Sequence, residues 1–156
     1  MKNTNLRVYA FFVLLSEAVG VVSGLISASG MAAYETAAKS ALTPPAILFP
    51  IVWTILYALM GVGAARVWLS PASQERTRGI AVFFVQLAVN FFWSIIFFNL
   101  QAYGFAFVWI LLLWVLIIAM ILLFRKSDHL AAWLQIPYLI WVTFAAYLTY
   151  AAWTLN

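Results

Sequence analysis

The sequence predicts an all-α integral membrane protein, a bundle of five transmembrane helices. Three observations carry that expectation. Apolar residue types make up 67% of the 156 residues and charged types only 8%, whereas a soluble domain is roughly a quarter charged. The stretches Ile80 to Leu100 and Ala102 to Phe124 contain no Asp, Glu, Lys or Arg. Each exceeds the about 20 helical residues that cross a hydrocarbon core. Finally, the eight Lys and Arg residues fall almost entirely on one side once five spans are assigned.

The spans are expected near residues 6–27, 46–69, 79–100, 104–124 and 130–153, within a single domain covering residues 1–156. The first apolar stretch, Leu6 to Ile26, is too long for a cleavable signal peptide. It carries Ser16, Gly20 and Gly24 at four-residue spacing, small residues that admit a neighbouring backbone within the monomer or across a dimer. Glu17 lies about ten residues into this span, where an ionised carboxylate is expensive. It reads either as a protonated acid bonded to another helix or as a cavity acid that meets a ligand. A polar break, with a lid loop over residues 28–43, separates this span from the second. Thr43-Pro44-Pro45 offers an N-cap and a proline in a first helical turn.

The second span places Phe49, Trp53, Tyr57, Met60 and Ala64 on one face, and Ser70-Pro71 ends it. The third aligns Gln86, Asn90, Ser94 and Phe97, with Trp93 at the edge. The fourth is uniformly apolar. Ser127 or Asp128 can cap the fifth, in which Tyr138, Trp141, Ala145 and Leu148 share a face behind Pro137. Trp68, Trp109 and Trp153 suit the lipid–water interface. Trp53 and Trp141 instead lie inside their spans. These stripes read either as helix–helix packing with amides as polar glue, or as a pocket with aromatic walls for a flat hydrophobic ligand.

With an odd number of spans the termini face opposite sides. Lys2, Arg7, Arg66, Arg76, Arg78, Arg125 and Lys126 then share one side, against Lys39 alone on the other. The positive-inside rule puts the N-terminus in the cytoplasm and the C-terminus outside. Such dispersed cations do not suggest nucleic acid. No Cys is present, which removes disulfides and thiolate chemistry. The one histidine, His129, has no second ligand candidate nearby, so no metal site is expected. No P-loop, Ser/His/Asp set or pair of acids appears, and no charge ring suggests a channel.

Thr43-Pro44-Pro45 with Phe49, Val52-Trp53, Leu56-Tyr57 and Met60-Gly61 resembles the second-helix signature of the TspO/translocator protein family. These are the tryptophan-rich sensory, peripheral benzodiazepine receptor-like proteins. Gln86-Leu87, Asn90, Trp93-Ser94 and Phe97-Phe98 resemble its third-helix motif, and Pro137-Tyr138, Trp141, Phe144-Ala145 and Tyr147-Leu148 its fifth. The resemblance covers nearly the whole chain. It implies a five-helix bundle, commonly a homodimer, in a bacterial membrane. No cofactor is obligatory; the implied ligand is a porphyrin or haem-like tetrapyrrole and, in some members, sterols or benzodiazepine-type drugs. The implied role is sensory or transport. The alternative is a light- and oxygen-dependent porphyrin-degrading enzyme in which Trp53 or Trp141 is photo-oxidised. The resemblance makes Trp53 and Trp141 pocket tryptophans, Asn90 and Ser94 polar contacts and Tyr34 a lid aromatic. The implied ligand-binding set is Tyr34, Phe49, Trp53, Tyr57, Gln86, Asn90, Trp93, Ser94, Phe97, Tyr138, Trp141 and Ala145. The chain departs from the family at Leu42 and Ile47, usually Trp, at Ser40, usually Pro, and at Thr149, usually Asn. No Lys or Arg follows Lys126, so the C-terminal cholesterol motif is missing.

Overall fold

Among the described residues, five helical segments are long and apolar enough to cross a membrane. The structure, a computed structural model, describes residues 2–156; the side chain of Lys2, one of the seven cations counted above, lies outside that description. The first helix, α1, covers Lys2–Thr36. At about 1.5 Å per residue its 35 residues are longer than the roughly 30 Å hydrocarbon core. The expected break at Ser27 therefore does not occur. Ala28, Ala32 and Ala33 are strong helix formers, and polar composition alone does not unwind a helix whose backbone bonds are intact. Tertiary contacts hold this last part in place. Asn99 Nδ2 donates to the Ile26 carbonyl at 2.9 Å, and Gly30 lies so close to the Phe98 carbonyl that any Cβ would collide with it.

Helix α2 covers Leu48–Trp68, not residues from 46, and Thr43 does not cap it. Residues before a proline avoid the helical region, so Thr43 and Pro44 stay non-helical. The chain turns in only where Leu48 and Phe49 donate to the Pro45 and Ala46 carbonyls, at 3.0 and 3.3 Å. At the far end Arg76 Nη1 donates to the Trp68 and Ser70 carbonyls, both at 3.1 Å. These are carbonyls that a helix terminus leaves unpaired. Helix α3 covers Gln74–Ser94 and starts five residues before the expected edge. Ser73 is its N-cap, accepting from the Arg76 N–H at 3.0 Å. Its C-terminal end widens into a π-helical turn, Ile95–Asn99. Gln101, with φ 51°, then reverses the chain.

Helix α4 covers Tyr103–Ser127. The fifth span is two helices, α5 (His129–Trp133) and α6 (Ile136–Leu155). The division follows from Pro137, which is tolerated in a first turn but not in a helix interior. Asp128 caps α5 as expected, accepting from the Ala131 N–H at 2.9 Å. It also pairs with Arg66 at 3.1 Å, so the second and fourth breaks meet at one end of the bundle. At the other end Ser40 and Tyr147 share a hydrogen bond of 2.7 Å. Asn156 there bonds both the N–H and the carbonyl of Ala38, at 3.2 and 2.8 Å.

Helix α1 packs on α2 and on the π-turn, α3 on α4, and α4 on α6. Gly61 allows a close crossing of α1 and α2, because a Cβ there would lie 2.5 Å from Val13 Cα. The fully buried core includes Met60, Phe83, Ile110, Ile117 and Phe124. Leu14, Val108 and Ile140 lie outward, each more than 60% exposed, as lipid-facing side chains should be. Trp109, half-buried, donates Nε1–H to the Val89 carbonyl at 2.8 Å, bracing α4 against α3.

Candidate functional site

A cavity of about 550 Å³ opens between α1, α2, α6 and the junction of α3 with the π-turn. Its size lies within the usual 300–1,000 Å³ range of ligand pockets. Helix α4 contributes nothing to its wall, since it packs on the far side of α3 and α6. Residues from 37 to 47 form the roof, where Lys39, Thr43, Pro44 and Ala46 face the space. The lid loop is thus shorter than the expected 28–43, and Tyr34 reaches the cavity from the last turns of α1. Leu42 is 66% exposed and points elsewhere.

Nine of the twelve residues in the expected set line the wall: Tyr34, Phe49, Trp53, Tyr57, Trp93, Ser94, Phe97, Trp141 and Ala145. They form a nearly continuous aromatic surface. Trp93 stacks on Phe97 with centroids 5.1 Å apart, and Tyr34 meets Phe97 edge-on at 5.1 Å. Phe49 meets Trp141 edge-on at 5.8 Å, and Trp53 leans on Tyr57 at 5.5 Å. The π-turn helps here, because an i→i+5 turn shifts the following side chains relative to an ideal α-helix. Phe97 and Phe98 in that turn both reach the wall.

Gln86, Asn90 and Tyr138 do not line the cavity. They lie behind its wall, at most 2% exposed, in a chain of hydrogen bonds. Tyr57 Oη–H donates to Asn90 Oδ1, Asn90 Nδ2–H to Tyr138 Oη, and Tyr138 Oη–H to Gln86 Oε1, each at 2.7 Å. Gln86 Nε2–H then reaches Met60 Sδ at 3.9 Å. Burial in an apolar bundle demands this, since each unpaired polar group would be costly. The reading of the amides as interhelical glue therefore describes these three residues better than a ligand contact does.

Three polar atoms on cavity residues are buried without a partner among the described residues: Trp93 Nε1, Trp141 Nε1 and Thr43 Oγ1. Buried donors are normally paired, and these two indole N–H groups are closed off from the open cavity as well as unpaired. The wall contributed by α1 goes beyond the expected set. Glu17, Gly20, Val21, Gly24 and Met31 all line it. The signal was the small-residue stripe, which resolves as intramolecular at Gly20. The Tyr57 ring fills the place a Cβ would take.

Five apolar spans around an aromatic, partly polar internal cavity define a polytopic membrane protein. The chain belongs to the TspO/MBR family, whose profile matches residues 12–154. It is 35% identical over 153 residues to "Protein CrtK" of Rhodobacter capsulatus, covering 97% of this chain and 94% of that protein. It is 39% identical over 124 residues to "Tryptophan-rich protein TspO" of Chlorobaculum tepidum, covering 79% of this chain and 78% of the other. "Translocator protein" of Ovis aries is 34% identical over 133 residues, with 84% and 79% covered.

Proposed function

We propose that this multi-pass membrane protein binds a porphyrin or related tetrapyrrole in the cavity and serves a sensory or transport role. The observation that carries the reading is the aromatic wall of the cavity, built by Phe49, Trp53, Tyr57, Trp93, Phe97 and Trp141. Flat rings match such walls. Two relatives are named for such roles, "Tryptophan-rich sensory protein" of Cereibacter sphaeroides and "Translocator protein" of Ovis aries. We place the protein in a bacterial membrane, N-terminus in the cytoplasm and C-terminus outside, as a homodimer. The dimer contact does not use Gly20, which Tyr57 covers.

The test is titration of the purified protein with protoporphyrin in nanodiscs, followed by tryptophan fluorescence. Saturable quenching that Trp141→Phe weakens is the expected result. Absence of saturable quenching overturns the reading. A porphyrin-degrading activity is the second reading, favoured by one observation: Trp53 and Trp141 both line the cavity, where an excited ring would touch them. Illumination of the bound porphyrin with and without oxygen separates the two, since photo-oxidation stops without oxygen while binding persists.

A further inference from the structure

The four linked hydrogen bonds behind the cavity wall point the same way, from Tyr57 through Asn90 and Tyr138 to Gln86 and Met60. A phenol has one proton, and that of Tyr57 is committed to Asn90 at 2.7 Å. What the Tyr57 oxygen can still offer is a lone pair. The ring cannot swing away on the side of α1, because Gly20 is packed directly against its edge.

Glu17 precedes Gly20 by three residues, so the two share a face of α1. It lines the same cavity as Tyr57 and lies close to the midpoint of α1. Among the described residues Glu17 makes no hydrogen bond and no ion pair. The cavity's one Lys, Lys39, has its ammonium on the Tyr34 and Glu35 carbonyls, both at 2.8 Å, and over the Tyr34 ring. It belongs to the roof end. Ionisable groups at membrane depth generally have a partner or mark a binding path.

We propose that Glu17 and Tyr57 form an acceptor edge that selects flat aromatic ligands carrying a protonated amine or another exposed N–H. The inference rests on the cavity being the ligand site and adds the chemistry it prefers.

A matched pair of probes tests this: 9-(aminomethyl)anthracene and 9-(methoxymethyl)anthracene, alike in shape and unlike in donor and charge. They are titrated against the full-length protein in nanodiscs, with protoporphyrin as a third ligand. The amine is expected to bind about ten-fold tighter than the ether, the scale of a charge-assisted hydrogen bond. The amine-to-ether ratio should fall toward one in Glu17→Leu and roughly halfway in the isosteric Glu17→Gln, with Tyr57→Phe reducing it about three-fold. Equal binding of the two probes by the unaltered protein overturns the acceptor edge. So does a preference that survives both Glu17 substitutions, or failure of the amine to bind a protein that binds protoporphyrin. Absence of binding by all three ligands overturns the cavity reading itself.

Discussion

Side chains on the two sides of the cavity wall should respond differently to substitution. Trp53 and Trp141 face the space. Aromatic stacking contributes about 0.5–1.5 kcal/mol beyond area burial, so Trp53→Phe or Trp141→Phe should weaken porphyrin binding roughly 2- to 12-fold, as read by fluorescence titration. Asn90 faces the protein interior. A hydrogen bond between membrane helices averages only ~0.6 kcal/mol, but Asn90→Leu leaves the buried Tyr57 hydroxyl without its acceptor and Tyr138 Oη without its donor, while Tyr138 still donates to Gln86. The expected loss is about 1–3 kcal/mol of stability, seen as a lower unfolding midpoint in detergent, with affinity changing less. The aromatic stripes could be read from the sequence because a helical repeat of 3.6 puts such residues on one face. The distinction between Ser94 on the wall and Asn90 behind it could not. It depends on which neighbouring hydroxyls come within reach, and both Tyr57 and Tyr138 belong to other helices.

Among the elements, the number of spans was legible and their edges were not. Apolar runs report where lipid begins, but helices continue past that limit while their backbone bonds hold, as α1 does through Ser27 to Thr36. Proline was informative at Pro71, misleading at Pro44 and Pro45, where the helix starts only at Leu48, and missed as a break at Pro137, where the expected single span 130–153 divides into two helices. The Asp128 turn joins the spans through a cap and an ion pair at once. Burial works to raise its carboxyl pKa, but the Ala131 N–H and the Arg66 guanidinium outweigh it and hold the pKa below the usual value. An acid with a depressed folded-state pKa stabilises fully above its unfolded value, about 3.9. That contribution is lost as pH falls through the lower folded value. Asp128→Ala should cost about 1 kcal/mol at neutral pH through loss of the cap. Asp128→Asn should cost less, since its amide oxygen still caps and a part-exposed ion pair contributes at most about 1 kcal/mol. Thermal melts between pH 3 and 7 should show the gap between the unaltered protein and Asp128→Asn closing at the acid end. A constant gap would assign the stabilisation to the cap alone.

At the scale of the whole molecule, five crossings and the seven-to-one distribution of cations lead to one expected topology. Reporter fusions should place the N-terminus in the cytoplasm and the C-terminus outside. Both reporters on the same side would contradict an odd number of crossings. The bundle order, with α4 excluded from the cavity, was not legible, because α4 is as apolar and as rich in aromatics as the helices that line it. The Trp109 bond to Val89 shows the same limit, because its acceptor is a carbonyl on another helix that no pattern within α4 reports.

The roof is fastened at two points, Ser40 to Tyr147 and Ala38 to Asn156, and both anchors lie on or at the end of α6. A molecule enclosed beneath it can leave through the roof only after these bonds part, so they govern how long it stays more than how tightly it is held at equilibrium. Each bond is worth about 0.5–1.5 kcal/mol. Tyr147→Phe or Asn156→Ala should therefore raise the dissociation rate roughly 2- to 12-fold, as followed by stopped-flow displacement. The association rate should rise in parallel, leaving the ratio of the two nearly constant. The seam between the first loop and the last helix would then be a clock for the cavity.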